Sequence, residues 1–264
     1  LMDFSVEINV ITDPGLNVDY FLVPWDSELL GYKVAELAEF EIYDETAAEL
    51  AFDVFEEWRR KENIRLCSCR IKHHELLESN FLQRHGFYFI ELNYRPEFRG
   101  LQLRELPINE EFEVPLVISN ATATDKFELV QMAGSIFEHG RFHQDPSLGA
   151  AIGNKRYGNW MKNSFDSSHQ TVIKCTAKNS IVGFFVVEYS QSNDCHWCLV
   201  GLAPGMKGKG LATRVWSAMI QYHQNEGIDT ITTSISSHNT AVFNLYVKLG
   251  FRFPPPLVTF HWRE

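Results

Sequence analysis

The chain has 264 residues, of which 45% are hydrophobic and 22% charged, and its formal net charge at pH 7 is −10. This length suits two domains with hydrophobic cores, and the composition excludes a disordered chain. The acidic balance offers no basic surface to nucleic acid, and no apolar run is long enough to cross a bilayer, so neither nucleic acid nor a membrane is an expected partner. Acidic residues near the start (Asp3, Glu7, Asp13) are unlike a secretory signal and favour a cytoplasmic protein.

The first third of the chain predicts a small α/β unit. A helix is predicted at residues 46–58 and a strand at residues 64–71, followed by a second helix that ends at Gly86-Phe87. Residues 89–94 alternate apolar and polar side chains, as a half-buried strand does. Glu91 lies on the polar side of this strand, which is either a solvated face or part of a site.

A boundary between two domains is predicted at residues 97–124, where glycine and proline interrupt a stretch rich in glutamate. The predicted domains are residues 1–100 and residues 101–264. A short strand is predicted near residues 112–118, and apolar residues at helical spacing begin at Asp125.

Residues 137–146 concentrate chemically active side chains next to a proline. Phe137, His139, Arg141 and His143 fall within seven positions. Histidine and arginine at a helix C-terminus can simply satisfy its last carbonyl groups and its dipole. Alternatively, these four residues bind a substrate that carries a diphosphate or a sugar, with an aromatic ring alongside.

The cysteines predict neither a disulfide framework nor a metal site. Five is an odd number, and Cys195-His196-Trp197-Cys198 has the spacing of a redox or metal motif without a second pair of ligands. This motif runs directly into the apolar residues 199–202. It is therefore interpreted as strand packing.

Residues 200–212 pass from an apolar strand through a glycine-rich loop into a helix. Gly205, Gly208 and Gly210 allow successive backbone N–H groups to converge on one anion, and a helix that starts near Leu211 directs its positive end to the same point. The pattern predicts a pyrophosphate site. The competing interpretation is an ordinary tight turn, where glycine is also common.

A strand, Asn239 and a helix that carries Tyr246 complete the C-terminal pattern, which closes at Gly250-Phe251. The N-terminal third repeats this order 164 positions earlier. The matched pairs are Ile64 with Ile228, His74 with His238, Asn80 with Asn244, Gly86 with Gly250 and Phe87 with Phe251. Leu82 stands at the position that matches Tyr246, and no glycine-rich loop precedes the N-terminal copy, so this copy is not expected to bind the same ligand.

The order of glycine-rich loop, helix, strand, Asn239, Tyr246 and Gly250-Phe251 resembles the acyl-CoA half of the GNAT N-acetyltransferase superfamily. The loop pattern of that superfamily is Gln or Arg, two residues, Gly, one residue, then Gly or Ala, and Gly205 stands here in the first position. The resemblance implies an α/β (α+β) GNAT fold with a mixed central sheet, preceded by a smaller, truncated GNAT-like domain. It also implies acyl-CoA as co-substrate, held by Val200, Leu202, Gly205, Met206, Lys207, Gly208, Lys209, Gly210, Leu211, Ala212 and Asn239.

Along most of its length the chain is similar to the two-domain TDP-fucosamine acetyltransferases and related dTDP-aminosugar N-acyltransferases. The similarity is carried by Trp25-Asp26-Ser27-Glu28-Leu29-Leu30-Gly31, Leu82-Gln83-Arg84-His85-Gly86-Phe87, Gly140-Arg141-Phe142 and Asn239-Thr240-Ala241. It implies transfer of an acyl group from acetyl-CoA or 3-hydroxybutyryl-CoA to the 3- or 4-amine of a dTDP-linked aminodideoxysugar, a nucleotide sugar used for cell-surface glycans such as O-antigen. Tyr246 would be the general acid at the departing sulfur, and Glu91 would receive the ammonium proton.

Two other functions remain open. One is transfer to a different amine, such as a polyamine, an antibiotic or a protein N-terminus, and the other is acyl-CoA binding without catalysis. The glycine-rich loop together with Tyr246 favours an enzyme. Residues 253–262 predict an aromatic strand, interrupted by prolines, that pairs within its own sheet or crosses to a second subunit, and a homodimer is favoured.

Overall fold

The computed structural model of the protein describes residues 6–105, 115–206 and 210–264. Its α-helices are α1 (Pro24–Leu30), α2 (Glu45–Lys61), α3 (Leu76–Arg84), α4 (Lys126–Ile136), α5 (Arg141–Gln144), α6 (Ala150–Ser164), α7 (Leu211–Asn225) and α8 (Thr240–Lys248). Its strands are β1 (Asn9–Thr12), β2 (Leu16–Leu22), β3 (Lys33–Ile42), β4 (Ile64–Lys72), β5 (Tyr88–Tyr94), β6 (Glu97–Phe98), β7 (Val117–Asn120), β8 (Gln170–Ala177), β9 (Ser180–Tyr189), β10 (Asp194–Leu202), β11 (Thr230–Thr233), β12 (Ile235–Ser236) and β13 (Leu257–Arg263).

These elements form two compact units, and the chain passes between them more than once. The C-terminal unit holds Tyr94–His143 and Leu148–Pro254. The N-terminal unit holds the described chain up to Asn93 together with Gln144–Ser147 and Pro255–Glu264. The division of the chain at residue 100 stays a prediction.

The N-terminal unit contains a mixed sheet with the strand order β1-β2-β3-β4-β13-β5. Strands β3 and β4 are parallel, because α2 carries the chain from the end of one to the start of the other. The Asp44 carboxylate caps α2 by accepting a hydrogen bond from the N–H of Ala47 at 2.8 Å. Phe52 and Phe55 of α2 are fully buried in the core. The helix and the strand predicted at residues 46–58 and 64–71 are confirmed as α2 and β4.

The strand β13 lies between β4 and β5 and is antiparallel to both. Because both of its edges are hydrogen-bonded, its side chains are well covered, and Phe260 is only 2% exposed. A C-terminal strand is thus confirmed. Its partners in the N-terminal unit differ from the expected pairing within the C-terminal sheet or with a second subunit.

A buried polar cluster fixes Gln144–Ser147 within the N-terminal unit. The Asp145 carboxylate lies 2.6 Å from Nδ1 of His261 on β13, and both side chains are fully buried. Tyr88 donates its hydroxyl to the same carboxylate at 3.1 Å, and the N–H of Ser147 donates at 2.8 Å. Burial alone would raise the pKa of Asp145, but the hydrogen bonds from His261 and Ser147 outweigh it and lower this pKa to about 2.

The C-terminal unit contains a sheet with the strand order β6-β11-β10-β9-β8-β7. Only β10 and β11 are parallel. Phe185, Trp197 and Trp216 belong to the core between the sheet and helices α7 and α8, which we call the α7 face. Leu129, Met161 and Phe184 belong to the core between the sheet and helices α4 and α6, which we call the α6 face.

Three further predictions from the sequence concern individual helices and strands. Helices α3 and α8 each have nine residues and start at Leu76 and Thr240, so the offset of 164 positions (240 − 76) holds for them. The helix expected from Asp125 is confirmed as α4, which starts one residue later. Of the strand expected at residues 112–118, the first three residues lie outside the described ones, and β7 begins at Val117.

Among the described residues, no helix has the length and apolar character needed to cross a membrane. No group of three or more His, Cys, Asp or Glu side chains there is arranged to hold a metal ion.

Candidate active site

The sheet of the C-terminal unit opens between β10 and β11. The parallel pairing of these strands ends at Trp197 and Thr233, whereas β10 continues to Leu202. A β-bulge in β10 lies between Trp197 and Leu199, directly after this last pair. We call residues 199–202 the open edge of β10, because among the described residues they pair with β9 alone.

Two backbone groups of this open edge point away from β9. The N–H of Ala203 donates to Val182 on β9 at 2.9 Å. Since alternate residues of an antiparallel strand face the same neighbour, Gly201 also bonds to β9, and Val200 and Leu202 direct their N–H and C=O groups into the opening. The two strand residues predicted to bind acyl-CoA are therefore the two whose backbone groups are available there.

Helix α7 begins at the far end of the loop that follows β10. Gly210 precedes its first residue and has a positive φ of 71°, a conformation that favours glycine. No side chain caps this end, and its first turn carries no acidic residue. The first N–H groups of α7 are thus suited to an anion. Lys207, Gly208 and Lys209 lie outside the described residues.

The start of α7 also suggests a second alignment of the loop pattern. With Gly210 as the central glycine, the pattern Gln or Arg, two residues, Gly, one residue, Gly or Ala fits Lys207, Gly210 and Ala212. The first position is then cationic, as the arginine of the pattern is. The earlier alignment places Gly205 there, and Gly205 is an exposed turn residue with a φ of 76°.

The remaining predicted contacts to acyl-CoA lie on the α7-face core and at the start of α8. The side chains of Met206, Leu211 and Ala212 are half-buried against the α7-face core. Asn239 caps α8, because its side-chain oxygen accepts a hydrogen bond from the N–H of Val242 at 3.2 Å. Its side-chain nitrogen is therefore the group left for a ligand.

Tyr246 is buried in the α7-face core, with only 1% of its surface exposed. Burial raises the pKa of its hydroxyl to about 12, although neighbouring Trp216 and Thr233 partly oppose this by hydrogen bonding. Thr233 is the last residue of β11 that pairs with β10. The hydroxyl thus lies next to the point where the two strands separate, and it stays protonated at neutral pH.

Two of the four predicted substrate-binding residues, Phe137 and His143, belong to a cluster of rings on the α6 face. Phe137 stacks on Tyr157 of α6, with ring centroids 4.3 Å apart, and His143 stacks on the same ring at 5.7 Å. Nε2 of His143 also lies 2.9 Å from the side-chain oxygen of Asn154. Arg141 is 8% exposed, whereas His139 is half-buried.

Glu91 lies on β5, opposite Thr259 of β13, and is 2% exposed. It belongs to the N-terminal unit, whereas Tyr246 and the predicted substrate-binding residues belong to the C-terminal unit. Its catalytic role stays a prediction.

A row of polar side chains on the α6 face of the C-terminal sheet was not predicted from the sequence. Gln170 on β8 donates to Glu188 on β9 at 2.8 Å, and Nδ1 of His196 on β10 lies 2.9 Å from the hydroxyl of Thr232 on β11. In the strand register, His196 is opposite both Glu188 and Thr232. The available signal was the alternation within Cys195-His196-Trp197, which places His196 on the opposite face from its two buried neighbours.

Comparisons with known proteins agree with this geometry. Residues 139–251, which include the open edge of β10, α7 and α8, match the model of the acetyltransferase (GNAT) family. A segment of 53 residues is 42% identical to the mycothiol acetyltransferase of Renibacterium salmoninarum and covers 20% of this chain and 16% of that protein. The match thus spans about a sixth of the length of that curated relative.

Solved structures extend the comparison to nearly the whole chain. A GCN5-related N-acetyltransferase from Sphaerobacter thermophilus superposes with a TM-score of 0.66 at 10% identity, covering 93% of this chain and 76% of that one. A tandem GNAT protein from the clavulanic acid biosynthesis pathway superposes with a TM-score of 0.60 at 11% identity, covering 94% and 79%.

These findings identify the fold of the chain and the protein family that residues 139–251 match. The chain has the GNAT fold, as expected from the resemblance. Its residues 139–251, which carry the opening between β10 and β11, match the acetyltransferase family of that fold.

Proposed function

We propose that this protein is an N-acyltransferase that moves an acyl group from acyl-CoA to the amine of a small molecule. The observation that carries the proposal is the open edge of β10, where the backbone groups of Val200 and Leu202 face an opening. The loop that follows β10 leads to the start of α7, which has no side-chain cap among the described residues. An extended amide-bearing chain can bond to such an edge as a strand would, and a pyrophosphate suits the helix N-terminus. Acyl-CoA has both parts.

The thioester of bound acyl-CoA supplies the activated acyl group. Tyr246 is proposed to donate a proton to the departing sulfur, since it lies beside the end of the β10–β11 pairing and its hydroxyl is protonated at neutral pH. The resemblance assigns the removal of the ammonium proton to Glu91. The amine must lose this proton before it can attack the carbonyl carbon.

A dTDP-linked aminodideoxysugar is the proposed acceptor, with acetyl-CoA or 3-hydroxybutyryl-CoA as donor. Its support is the resemblance to the dTDP-aminosugar N-acyltransferases, together with the ring cluster of Phe137, His143 and Tyr157 and the cation of Arg141 over the ring of Phe142. Aromatic and cationic side chains suit a ligand that combines a base, a sugar and a diphosphate. The partial match to a mycothiol acetyltransferase favours a second candidate acceptor, des-acetyl mycothiol with its free amine.

The test measures thiol release from acetyl-CoA and 3-hydroxybutyryl-CoA, each offered with dTDP-linked 3-amino and 4-amino sugars and with des-acetyl mycothiol. Turnover in one pairing would identify acyl group and acceptor together. Acyl-CoA binding by calorimetry without turnover of any acceptor would contradict the aminosugar assignment.

A matched pair of variants tests the acyl-CoA site itself. Leu202→Pro removes an N–H that faces the opening without removing a bond to β9, whereas Leu202→Ala keeps this N–H. We expect Leu202→Pro to weaken acyl-CoA binding by about tenfold, the loss of one hydrogen bond of about 1.4 kcal/mol, with little change for Leu202→Ala. Equal affinities in two variants of equal thermal stability would contradict the proposed site.

A further inference from the structure

His196 is the last residue of β10 on the α6 face that still pairs with β11. It lies directly before the last residue pair of β10 and β11, which is Trp197 with Thr233. Beyond this pair the two strands separate. Both Cys195 and Trp197 point into the α7-face core, so the side chain of His196 points to the α6 face. Phe137, Tyr157 and Trp160 pack against the core on that same face.

The hydrogen bonds around His196 favour one position for the proton of its ring. The hydroxyl of Thr232 lies 3.3 Å from the carbonyl oxygen of Cys195, to which it can donate its hydrogen. Its oxygen then accepts from Nδ1 of His196, 2.9 Å away. In the neutral ring this leaves the lone pair on Nε2, which makes no hydrogen bond to the described residues.

Two further contacts hold this row in place. The carboxylate of Glu188 lies opposite His196 on β9, and the amide of Gln170 donates to it at 2.8 Å. The side-chain oxygen of Gln170 in turn accepts from Ser164, the last residue of α6, at 2.6 Å. The row therefore extends from the ring of His196, across the sheet, to α6, whose Tyr157 stacks with Phe137 and His143.

We propose that His196, rather than Glu91, is the general base that removes the proton from the acceptor amine. The proposal rests on the proposed function, since it names the base of the same reaction. The acceptor ammonium gives one proton to Nε2 of His196, and the neutral amine then forms a C–N bond with the thioester carbonyl carbon. The C–S bond breaks, the sulfur leaves with the proton of Tyr246, and the new amide nitrogen loses its extra proton to solvent. Solvent later takes the proton from His196 and restores that of Tyr246.

The surroundings of His196 agree with a base that works at neutral pH. Burial lowers the pKa of His196 below its usual value, the carboxylate of Glu188 opposes this, and Arg95 adds to it. Burial alone would also raise the pKa of Glu188, but the hydrogen bond from Gln170 contributes to a lower one. The imidazole is thus unprotonated at pH 7 and ready to accept a proton, with an ionised carboxylate across the strand pair to stabilise the imidazolium.

The first test compares three variants in steady-state turnover between pH 5 and 9. For His196→Gln we expect a loss of about 100-fold or more in kcat, unchanged affinity for acyl-CoA, and loss of the acidic limb of the pH profile. Glu91→Gln should keep this limb. The control is His74→Gln, an exposed histidine of the N-terminal unit, which should behave as the wild type. A His196→Gln protein that keeps its acidic limb and a kcat within threefold of the wild type would overturn the proposal.

The second test does not depend on finding the acceptor. In a protein with ¹⁵N-labelled histidine, the ring of His196 should be Nδ1-protonated at pH 7, and saturating acetyl-CoA should shift its Nε2 signal. Thr232→Val should shift the tautomer equilibrium of His196 and leave that of His74 unchanged. If no acceptor is turned over but these signals respond, the proposed acceptors fail while the position of His196 at the acyl site stands. An Nε2 signal that does not respond to acetyl-CoA overturns the assignment of His196 by itself.

Discussion

At the scale of single residues, burial determines what Tyr246 can do. Its hydroxyl is covered by the α7-face core, and its pKa of about 12 keeps it protonated. If it is the general acid, Tyr246→Phe should lower kcat by about 100-fold and leave the affinity for acyl-CoA unchanged. Loss of its hydrogen bond should cost about 1 kcal/mol in the free energy of unfolding.

Kinetics and calorimetry on the purified variant measure these two effects separately. The wild-type rate should also show no decline from ionisation of Tyr246 up to pH 10, since an acid with this pKa is lost only at higher pH. Full activity of Tyr246→Phe with normal binding would leave the tyrosine as a core residue.

The Asp145 carboxylate gives a pH-dependent contribution to stability. Its folded pKa of about 2 lies below the unfolded value of about 3.9, so the contribution is present above pH 4 and is lost as the pH falls towards 2. Asp145→Asn should therefore lower the free energy of unfolding by about 2 kcal/mol at pH 7 and by much less at pH 2 to 3. Urea unfolding at both pH values measures this difference.

The exposed carboxylate of Asp166 provides the control, because it pairs only with Lys126 at the surface. Asp166→Asn should change stability by less than about 0.5 kcal/mol at either pH. A loss for Asp145→Asn that is the same at pH 7 and pH 2.5 would mean that the charge of Asp145 is not its source.

At the scale of elements, α6 contains two glycines with opposite expected responses to alanine. A Cβ at Gly153 would lie 2.5 Å from the ring of His143, whereas a Cβ at Gly158 would meet Val130 and Gly134 at ordinary distances of 3.6 and 3.7 Å. Gly153→Ala should cost about 1–3 kcal/mol and displace His143. Gly158→Ala should be neutral or gain up to about 1 kcal/mol through helix propensity.

Thermal unfolding compares the stabilities of these two variants, and the KM for the acceptor reports on His143. We expect KM to rise for Gly153→Ala alone, because only that substitution moves a residue predicted to bind the acceptor. Two variants with the same melting temperature and the same KM would refute this account of the contact between α5 and α6.

Elements defined by local patterns were predictable from the sequence. The apolar periodicity of α2 and the alternation in β4 lie within one short segment, so their residues suffice to predict them. The start of α7 followed from the glycine-rich loop for the same reason. The row through His196 was not predictable, because it joins side chains of four strands whose register depends on the whole sheet.

At the scale of the whole molecule, β13 ties the end of the described chain to the stability of the N-terminal sheet. Phe260 is 2% exposed, whereas Phe89, its partner on β5, is 55% exposed. Phe260→Ala should lower the free energy of unfolding of the N-terminal unit by about 3–5 kcal/mol, and Phe89→Ala by less than about 1 kcal/mol. Hydrogen exchange of the amides in β4 and β5 locates the loss.

Faster exchange confined to the C-terminal unit, or equal losses for both phenylalanine variants, would contradict the central position of β13.

The central position of β13 was not predicted from the sequence, from which only its own sheet and a second subunit were considered as partners. The residues of β13 predict a strand. Its neighbours could not be predicted, because no local sequence pattern indicates that β4 and β5 are separated by a third strand.

The order of synthesis gives the position of β13 a consequence for folding in the cell. Phe260 pairs with Cys69, 191 positions (260 − 69) earlier in the chain. At about 5–20 residues per second, the ribosome needs roughly 10–40 seconds to produce the missing strand after β4 has been made. During this interval the nascent N-terminal sheet offers two strand edges to chaperones, or to neighbouring nascent chains on the same messenger RNA. The N-terminal sheet is therefore begun before the C-terminal unit is made and is completed only after it.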